Sequence, residues 1–207
     1  MEHIKKHFPD LTDRQREQFI TMLREYPVWN AKINVISRKD IDNLEINHIL
    51  HSLAIARFIR FTPDSRILDF GTGGGFPGIP LAAMFPDVSF HLVDRTGKKI
   101  LVAREVASAC GLDNVTFMHG DVAECKEKFD FVVSRAVMPQ PDLLKICRRN
   151  MAEEQRNALP NGLITLKGGE LGDELRPLRN CSEIVGVDNY FDEEFFKGKK
   201  IVYTMAR

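Results

Sequence analysis

The stretch Arg66-Ile67-Leu68-Asp69-Phe70-Gly71-Thr72-Gly73-Gly74-Gly75-Phe76-Pro77-Gly78 decides how this chain is read. Its first five residues form a short apolar strand. The glycines that follow let the backbone turn sharply and approach a ligand closely, because no Cβ stands in the way. Pro77 suits the first turn of a following helix. Further along, Ser89–Val93, Val115–Met118, Phe131–Val133 and Leu163–Leu166 repeat the short strand pattern, with helical spacing in Lys98–Cys110 and Gln140–Ala158 between them. That alternation predicts an α/β fold with a mostly parallel sheet and helices on both faces. Ile184–Val187 and Lys200–Met205 lack a long helical pattern between them, which predicts a C-terminal antiparallel hairpin and a sheet of seven strands in all.

Upstream the texture is helical. Thr12 and Gln15 have the spacing of a capping box, and Phe19, Ile20, Met22, Leu23 and Tyr26 follow on one face. Pro27 is expected to end this helix. Ile46, Ile49, Leu50, Leu53, Ile55 and Phe58 mark a second helix beyond the polar stretch Trp29–Arg38. Residues 1–62 therefore read as a helical extension and residues 63–207 as the α/β domain.

Composition excludes several classes. The 207 residues carry 29 Lys+Arg and 29 Asp+Glu, a formal net charge of zero, with 43% apolar residues. Zero net charge removes any global electrostatic case for nucleic-acid binding, so such a partner must be held by local groups. Cys110, Cys125, Cys147 and Cys181 form no CxxC and no zinc-knuckle spacing, and nothing suggests a disulfide framework. The expected compartment is the reducing cytoplasm. No run approaches the roughly 20 apolar residues of a membrane span, and MEHIKKHFPD has no apolar signal core.

An open parallel sheet holds its ligand at the carboxyl ends of its strands, and the acidic residues fall there. The spacing Gly73-x-Gly75-x-x-Gly78 also satisfies a dinucleotide pattern, so the glycines alone do not choose the cofactor. Asp69, just before Gly71, is ill placed beside a pyrophosphate but suits an ammonium group. Asp94 ends the second strand, where it can accept hydrogen bonds from ribose hydroxyls, and Asp121 follows the third, where it can meet an adenine amine. S-adenosylmethionine carries an α-amino group, a sulfonium and no phosphate, and it is the cofactor these strand ends favour. The loop after the fourth strand, Ser134-Arg135-Ala136-Val137-Met138-Pro139, is where a transferase would hold its acceptor. The chain has no Asn/Asp-Pro-Pro-aromatic tetrapeptide for an exocyclic amine and no Pro-Cys pair for a pyrimidine nucleophile. An acceptor with a free lone pair, such as guanine N7, needs neither, and positioning then supplies most of the catalysis. Arg135 could hold guanine O6, a phosphate or the cofactor carboxylate. No metal is required.

These residues carry a resemblance. Trp29-Asn30 with Lys32 and Asn34, His48-Ile49-Leu50-His51-Ser52-Leu53, Gly71-Thr72-Gly73 with Phe76-Pro77-Gly78-Ile79-Pro80, and Ser134-Arg135-Ala136 with Leu166-Lys167-Gly168 resemble the RsmG (GidB) family of bacterial small-subunit ribosomal RNA guanine-N7 methyltransferases. The resemblance spans Trp29 to the end of the chain. It implies a class I methyltransferase (Rossmann-like) fold with an N-terminal helical extension, S-adenosylmethionine as donor, and 16S rRNA in the small subunit or its precursor as substrate. Carried over by position, Gly71 and Phe76 line the cofactor loop. Asp94, Arg95 and Thr96 surround the ribose, Val122 and Ala123 the adenine, and Arg135 lies beside the methyl-transfer site. The family often has Asp where His51 stands, and an Arg-Val-Glu-like triplet where this chain has Asp121-Val122-Ala123. Lys98-Lys99, Arg148-Arg149, Lys197, Lys199 and Lys200, together with Lys32, Arg38 and Lys39, are the local basic groups available for RNA. The expected molecule is a monomer with no membrane association. A methyltransferase for a small molecule or protein, a nicotinamide-dependent oxidoreductase and a non-catalytic assembly factor are the alternatives.

Overall fold

Seven strands form one sheet in the order β3-β2-β1-β4-β5-β7-β6. A computed structural model describes residues 1–135 and 137–206. The strands are β1 (Arg66–Phe70), β2 (Ser89–Asp94), β3 (Val115–His119), β4 (Phe131–Arg135), β5 (Gly162–Gly168), β6 (Ser182–Gly186) and β7 (Lys199–Met205). β1 to β5 run parallel. β7 lies antiparallel between β5 and β6, which is the predicted terminal hairpin. Strand order reverses between β1 and β4, which pair through Ile67↔Phe131 and Asp69↔Val133. That reversal opens a crevice at the carboxyl ends.

Both faces of the sheet are covered, and the strand sequences show it. Alternating residues split between two clusters: Ile67, Phe131, Val133 and Ile164 join one, and Leu68, Val132 and Leu163 join the other. The first face carries the helices α1 (Glu2–His7), α2 (Asp13–Lys32), α3 (His51–Phe58), α4 (Gly78–Met84) and α5 (Gly97–Ala109), whose Phe19, Leu53, Ile79 and Val106 pack into that cluster. α6 (Gln140–Cys147) covers the second face with Leu143 and Cys147. The short helix α7 (Gly172–Leu175) packs Leu175 on Val202. The N-terminal helices therefore share one core with the sheet.

Two helix boundaries depart from expectation. α2 begins at the predicted Thr12–Gln15 capping box but runs through Pro27 to Lys32. A proline removes one helical hydrogen bond and costs about 3 kcal/mol in a helix interior. Here Pro27 is exposed, while its neighbour Tyr26 is fully buried against the glycine loop. The Asn30 side chain then closes the helix end, accepting from the N–H groups of Val35 and Ile36 at 2.8 Å each. Tertiary packing outweighs the local breaker. The expected helix Gln140–Ala158 instead stops at Cys147 and a short 3-10 turn. There Asn150 donates its amide to the carbonyls of Cys125 and Glu127, and Phe129 bridges to Met151, so the backbone is committed to strand-like pairing. The second N-terminal helix starts as a π-helical turn, Glu45–Leu50, that runs directly into α3.

Candidate active site

The glycine loop leaves β1 and folds back over its last residues. Gly71 and Thr72 donate their N–H groups to the Val93 carbonyl at 2.9 and 3.1 Å, tying the loop to the end of β2. Gly73 donates to Asp94 Oδ2 and Thr96 to Asp94 Oδ1, both at 2.8 Å, so Asp94 joins the loop to the start of α5. Gly71 sits at φ +67° with the Val137 side chain directly above: a Cβ here would lie 2.7 Å from Val137 Cγ2. Only glycine meets both demands at once.

Asp69 is turned under the loop and lines neither cavity described below. It is fully buried, and its Oδ2 accepts from the Thr72 hydroxyl at 2.6 Å and the Gly78 N–H at 2.8 Å. A Cβ on Gly78 would come within 2.6 Å of that oxygen, so the close approach needs glycine there too. Asp69 Oδ1 has no hydrogen-bond partner. Burial raises the Asp69 pKa to about 7, against the pull of these two hydrogen bonds and of Arg135.

Tyr26 braces the loop from α2. Its hydroxyl donates to the Gly74 carbonyl at 3.0 Å, and its ring stacks on Phe76 with centroids 4.6 Å apart. Arg135, at the end of β4, lies over the same Phe76 ring at 5.0 Å. It donates to His48 Nδ1 at 2.8 Å and to the Asn47 carbonyl at 3.3 Å. Burial lowers the Arg135 pKa to about 10, and burial with the neighbouring guanidinium lowers His48 to about 4. His48 is therefore a neutral acceptor near pH 7, and Arg135 keeps its charge.

Two cavities open on this framework. One of about 170 Å³ is lined by Phe70, Val93, Asp94, Arg95, Val122 and Met138, an apolar slot with a carboxylate at its edge. The other, of about 330 Å³, is lined by Thr72, Gly73, Phe76, Lys99 and Arg135, and is polar and basic. Gly71, Asp94 and Val137 border both, so Val137 stands at the divide.

The predicted site residues separate into groups. Gly71, Gly73, Phe76, Asp94, Arg95, Val122 and Arg135 line the two cavities. Thr96 joins through its backbone bond to Asp94. Gly75 faces inward, where a Cβ would meet Ile79 at 2.5 Å. Asp121 caps the 3-10 turn Val122–Glu124 by accepting from Ala123 N–H at 2.8 Å, and it forms an ion pair with Arg95. Those contacts hold its pKa below the usual carboxylate range. Ala123 is exposed and lines neither cavity. Ala136 of the Ser134-Arg135-Ala136 motif lies outside the described residues.

Tyr26 and Val35 also shape the site without having been singled out for it, joined by Val137 of the expected acceptor loop, Lys99 of the basic groups and Lys167 of the Leu166-Lys167-Gly168 motif. Tyr26 reads in sequence as one more apolar residue of a helix face. Val35 packs where a Cβ of Gly74 would be, at 2.8 Å. Lys167 Nζ donates to the Met138 carbonyl at 2.9 Å and pairs with Glu174 at 2.9 Å, anchoring the loop after β4.

The sequence model of the GidB family, described as rRNA small subunit methyltransferase G, matches residues 14–200. This chain belongs to the GidB family. A GidB relative from Phocaeicola vulgatus, named ribosomal RNA small subunit methyltransferase G, is 60% identical over 204 residues, covering 99% of this chain and 98% of the relative. One of the same name from Bacteroides fragilis is 61% identical over 199 residues, covering 96% and 89%. Among solved structures, a SAM-dependent methyltransferase from Aquifex aeolicus superposes with a TM-score of 0.60 at 16% identity, covering 83% of this chain and all of that one. At that identity the likeness shows the fold, a class I Rossmann-like methyltransferase architecture, which is the fold expected for GidB.

Proposed function

We propose that this protein transfers a methyl group from S-adenosylmethionine to N7 of a specific guanine in 16S ribosomal RNA, within the small subunit or its precursor. The observation that carries the reading is the arrangement at the switch point. An apolar slot edged by Asp94 adjoins a basic cavity that holds Arg135, with a buried carboxylate, Asp69, beneath the loop between them. GidB membership supports rRNA as the substrate class.

The residues present fit this cofactor. Val93, Val122 and Met138 offer apolar surface for a purine, with Arg95 at the edge held by its ion pair with Asp121, and Ala123 follows Val122 outside the cavity. Asp94 makes two hydrogen bonds to backbone N–H groups, and a carboxylate has about four acceptor sites, so it retains capacity for ribose hydroxyls. Asp69 lies beneath the loop and lines neither cavity, so it supports the cofactor loop through Thr72 and Gly78 rather than touching the ligand. Gly71, Gly73, Gly75 and Phe76 hold the loop close to the ligand, and Thr96 holds Asp94.

When bound, the cofactor supplies an electrophilic methyl carbon, which the N7 lone pair takes as the carbon–sulfur bonding pair returns to sulfur. Guanine N7 loses no proton in this step, so the site has no need of a general base. Positioning is then the protein's main contribution. Arg135 is the catalytic group, charged and aimed into the basic cavity, where it holds the guanine or its phosphate. Lys99 adds a second positive charge to that cavity. Residues 1–62 act as an extension that frames the acceptor side of the 63–207 domain. The protein works as a monomer in the cytoplasm. Among the described residues no helix is long and apolar enough to cross a membrane.

Incubation with labelled S-adenosylmethionine and small subunits from cells lacking this protein should place label in the RNA fraction. Label confined to ribosomal protein or to small molecules would overturn the reading.

A further inference from the structure

His48 belongs to no group that the methyl-transfer chemistry requires, yet it makes the shortest polar contact of Arg135. The π-helical turn Glu45–Leu50 presents two acceptors to the guanidinium, the Asn47 carbonyl at 3.3 Å and His48 Nδ1 at 2.8 Å. An arginine can only donate, so Nδ1 must be the accepting nitrogen and the imidazole is neutral with its proton on Nε2. Phe76 supplies a third constraint, with the Arg135 guanidinium 5.0 Å and the His48 ring 5.2 Å from its centroid. The turn is held in its own right: Asn47 donates to Asp40 Oδ1 at 3.2 Å, and Ser37 to Asp40 Oδ2 at 2.6 Å.

The chemistry of this cage is distinctive. Among the described residues Arg135 makes no ion pair, both of its hydrogen-bond acceptors and its aromatic neighbour are uncharged, and the Asp69 and Asp40 carboxyl groups act on it from beyond ion-pair distance. A carboxylate partner would fix the guanidinium equally well but would cancel the charge that an anionic or O6-bearing ligand has to meet. A neutral imidazole fixes it and leaves the charge for the substrate.

We infer that His48 is a positioning residue for Arg135, through which the N-terminal extension orients an un-neutralised guanidinium toward the methyl-transfer cavity. The inference rests on the reading of Arg135 as the group beside the acceptor. His48→Phe keeps a ring against Phe76 and removes the acceptor, whereas His48→Asn keeps an acceptor the same number of bonds from Cα as Nδ1.

The two variants, Arg135→Ala and the double variant His48→Phe/Arg135→Ala are compared on small subunits for kcat and KM, with cofactor affinity by calorimetry and Tm by thermal melting. His48→Phe should lower kcat by about a hundredfold, the scale of a 1 Å misplacement, with cofactor affinity within about twofold of the wild type. His48→Asn should recover activity above the Phe variant, and the double variant should be no slower than Arg135→Ala alone. Wild-type kcat in His48→Phe beside an inactive Arg135→Ala overturns the inference. So do losses that multiply in the double variant, or an Asn variant no better than Phe if the Phe variant misfolds. Full activity in Arg135→Ala overturns the reading of Arg135 itself, and the role of His48 with it.

Discussion

Replacing Asp69 by Asn should make the ligand-free protein more stable as pH rises, relative to wild type. Asp69 is fully buried under the glycine loop, and its pKa is raised from an ordinary value near 3.8 to about 7. A carboxyl whose pKa is higher folded than unfolded keeps its proton on folding, so the folded state binds more protons and stability falls as pH rises. Its favourable contribution is fully present below about pH 4 and is gone once pH has passed about 7. The gap between those values corresponds to about 4 kcal/mol. Between pH 5 and pH 8 the part still to be lost is roughly 2–3 kcal/mol. Asn keeps an oxygen for Thr72 and Gly78 but never ionises, so this slope disappears. Urea unfolding of both proteins at pH 5, 6, 7 and 8 without cofactor reads the effect directly, because all other titrations cancel in the difference. The advantage of Asp69→Asn should grow by roughly 2–3 kcal/mol across that range. Two parallel stability curves, whatever their offset, would refute the reasoning.

Other positions test the loop from different sides. Gly71→Ala places a Cβ 2.7 Å from Val137 Cγ2 at a φ of +67°, and should cost roughly 1–3 kcal/mol in urea unfolding and weaken cofactor binding in calorimetry; a wild-type Kd would count against the loop as the cofactor site. Tyr26→Phe keeps the stack on Phe76 but leaves the Gly74 carbonyl without its 3.0 Å partner. It should cost roughly 1–3 kcal/mol by the same assay, and an unchanged midpoint would show that the hydroxyl is not needed to brace the loop. Lys167→Met leaves the Met138 carbonyl without its donor and removes the ion pair of Glu174, which keeps only the Gln140 N–H. A kcat loss larger than its change in cofactor Kd is expected in methyl-transfer kinetics, and the opposite split would remove Lys167 from the acceptor side.

The succession of short apolar strands and helical stretches made the sheet legible, and the unbroken apolar pairs Ile67-Leu68 and Val132-Val133 suit strands buried on both faces, which the two clusters show. The glycine loop and the strand-end acids were equally visible, because residue types fitted for one backbone geometry or one charge carry their meaning locally. Partners brought from a distance are harder to read. Pro27 looks like a terminator until Tyr26 is seen to pack under Phe76. Asp69 suggests a carboxylate facing the ligand, yet Gly78, nine residues later, turns it under the loop. The end of α6 is set by Asn150 reaching Cys125 and Glu127, a contact distant in sequence that no helical spacing encodes. His48 lies in a stretch whose helical pattern is ordinary, and only the meeting of β4 with the N-terminal extension gives it Arg135 as a neighbour.

The central claim is that Arg135 and the switch-point cleft deliver a methyl group to guanine N7 of 16S rRNA. Its most direct test is chemical cleavage at N7-methylguanine in 16S rRNA from small subunits of cells lacking this protein, after incubation with S-adenosylmethionine and either the wild-type protein or Arg135→Ala. The account predicts a single new cleavage position with the wild type and none with Arg135→Ala. Incorporated methyl groups without N7 cleavage, or the same cleavage with both proteins, would contradict it.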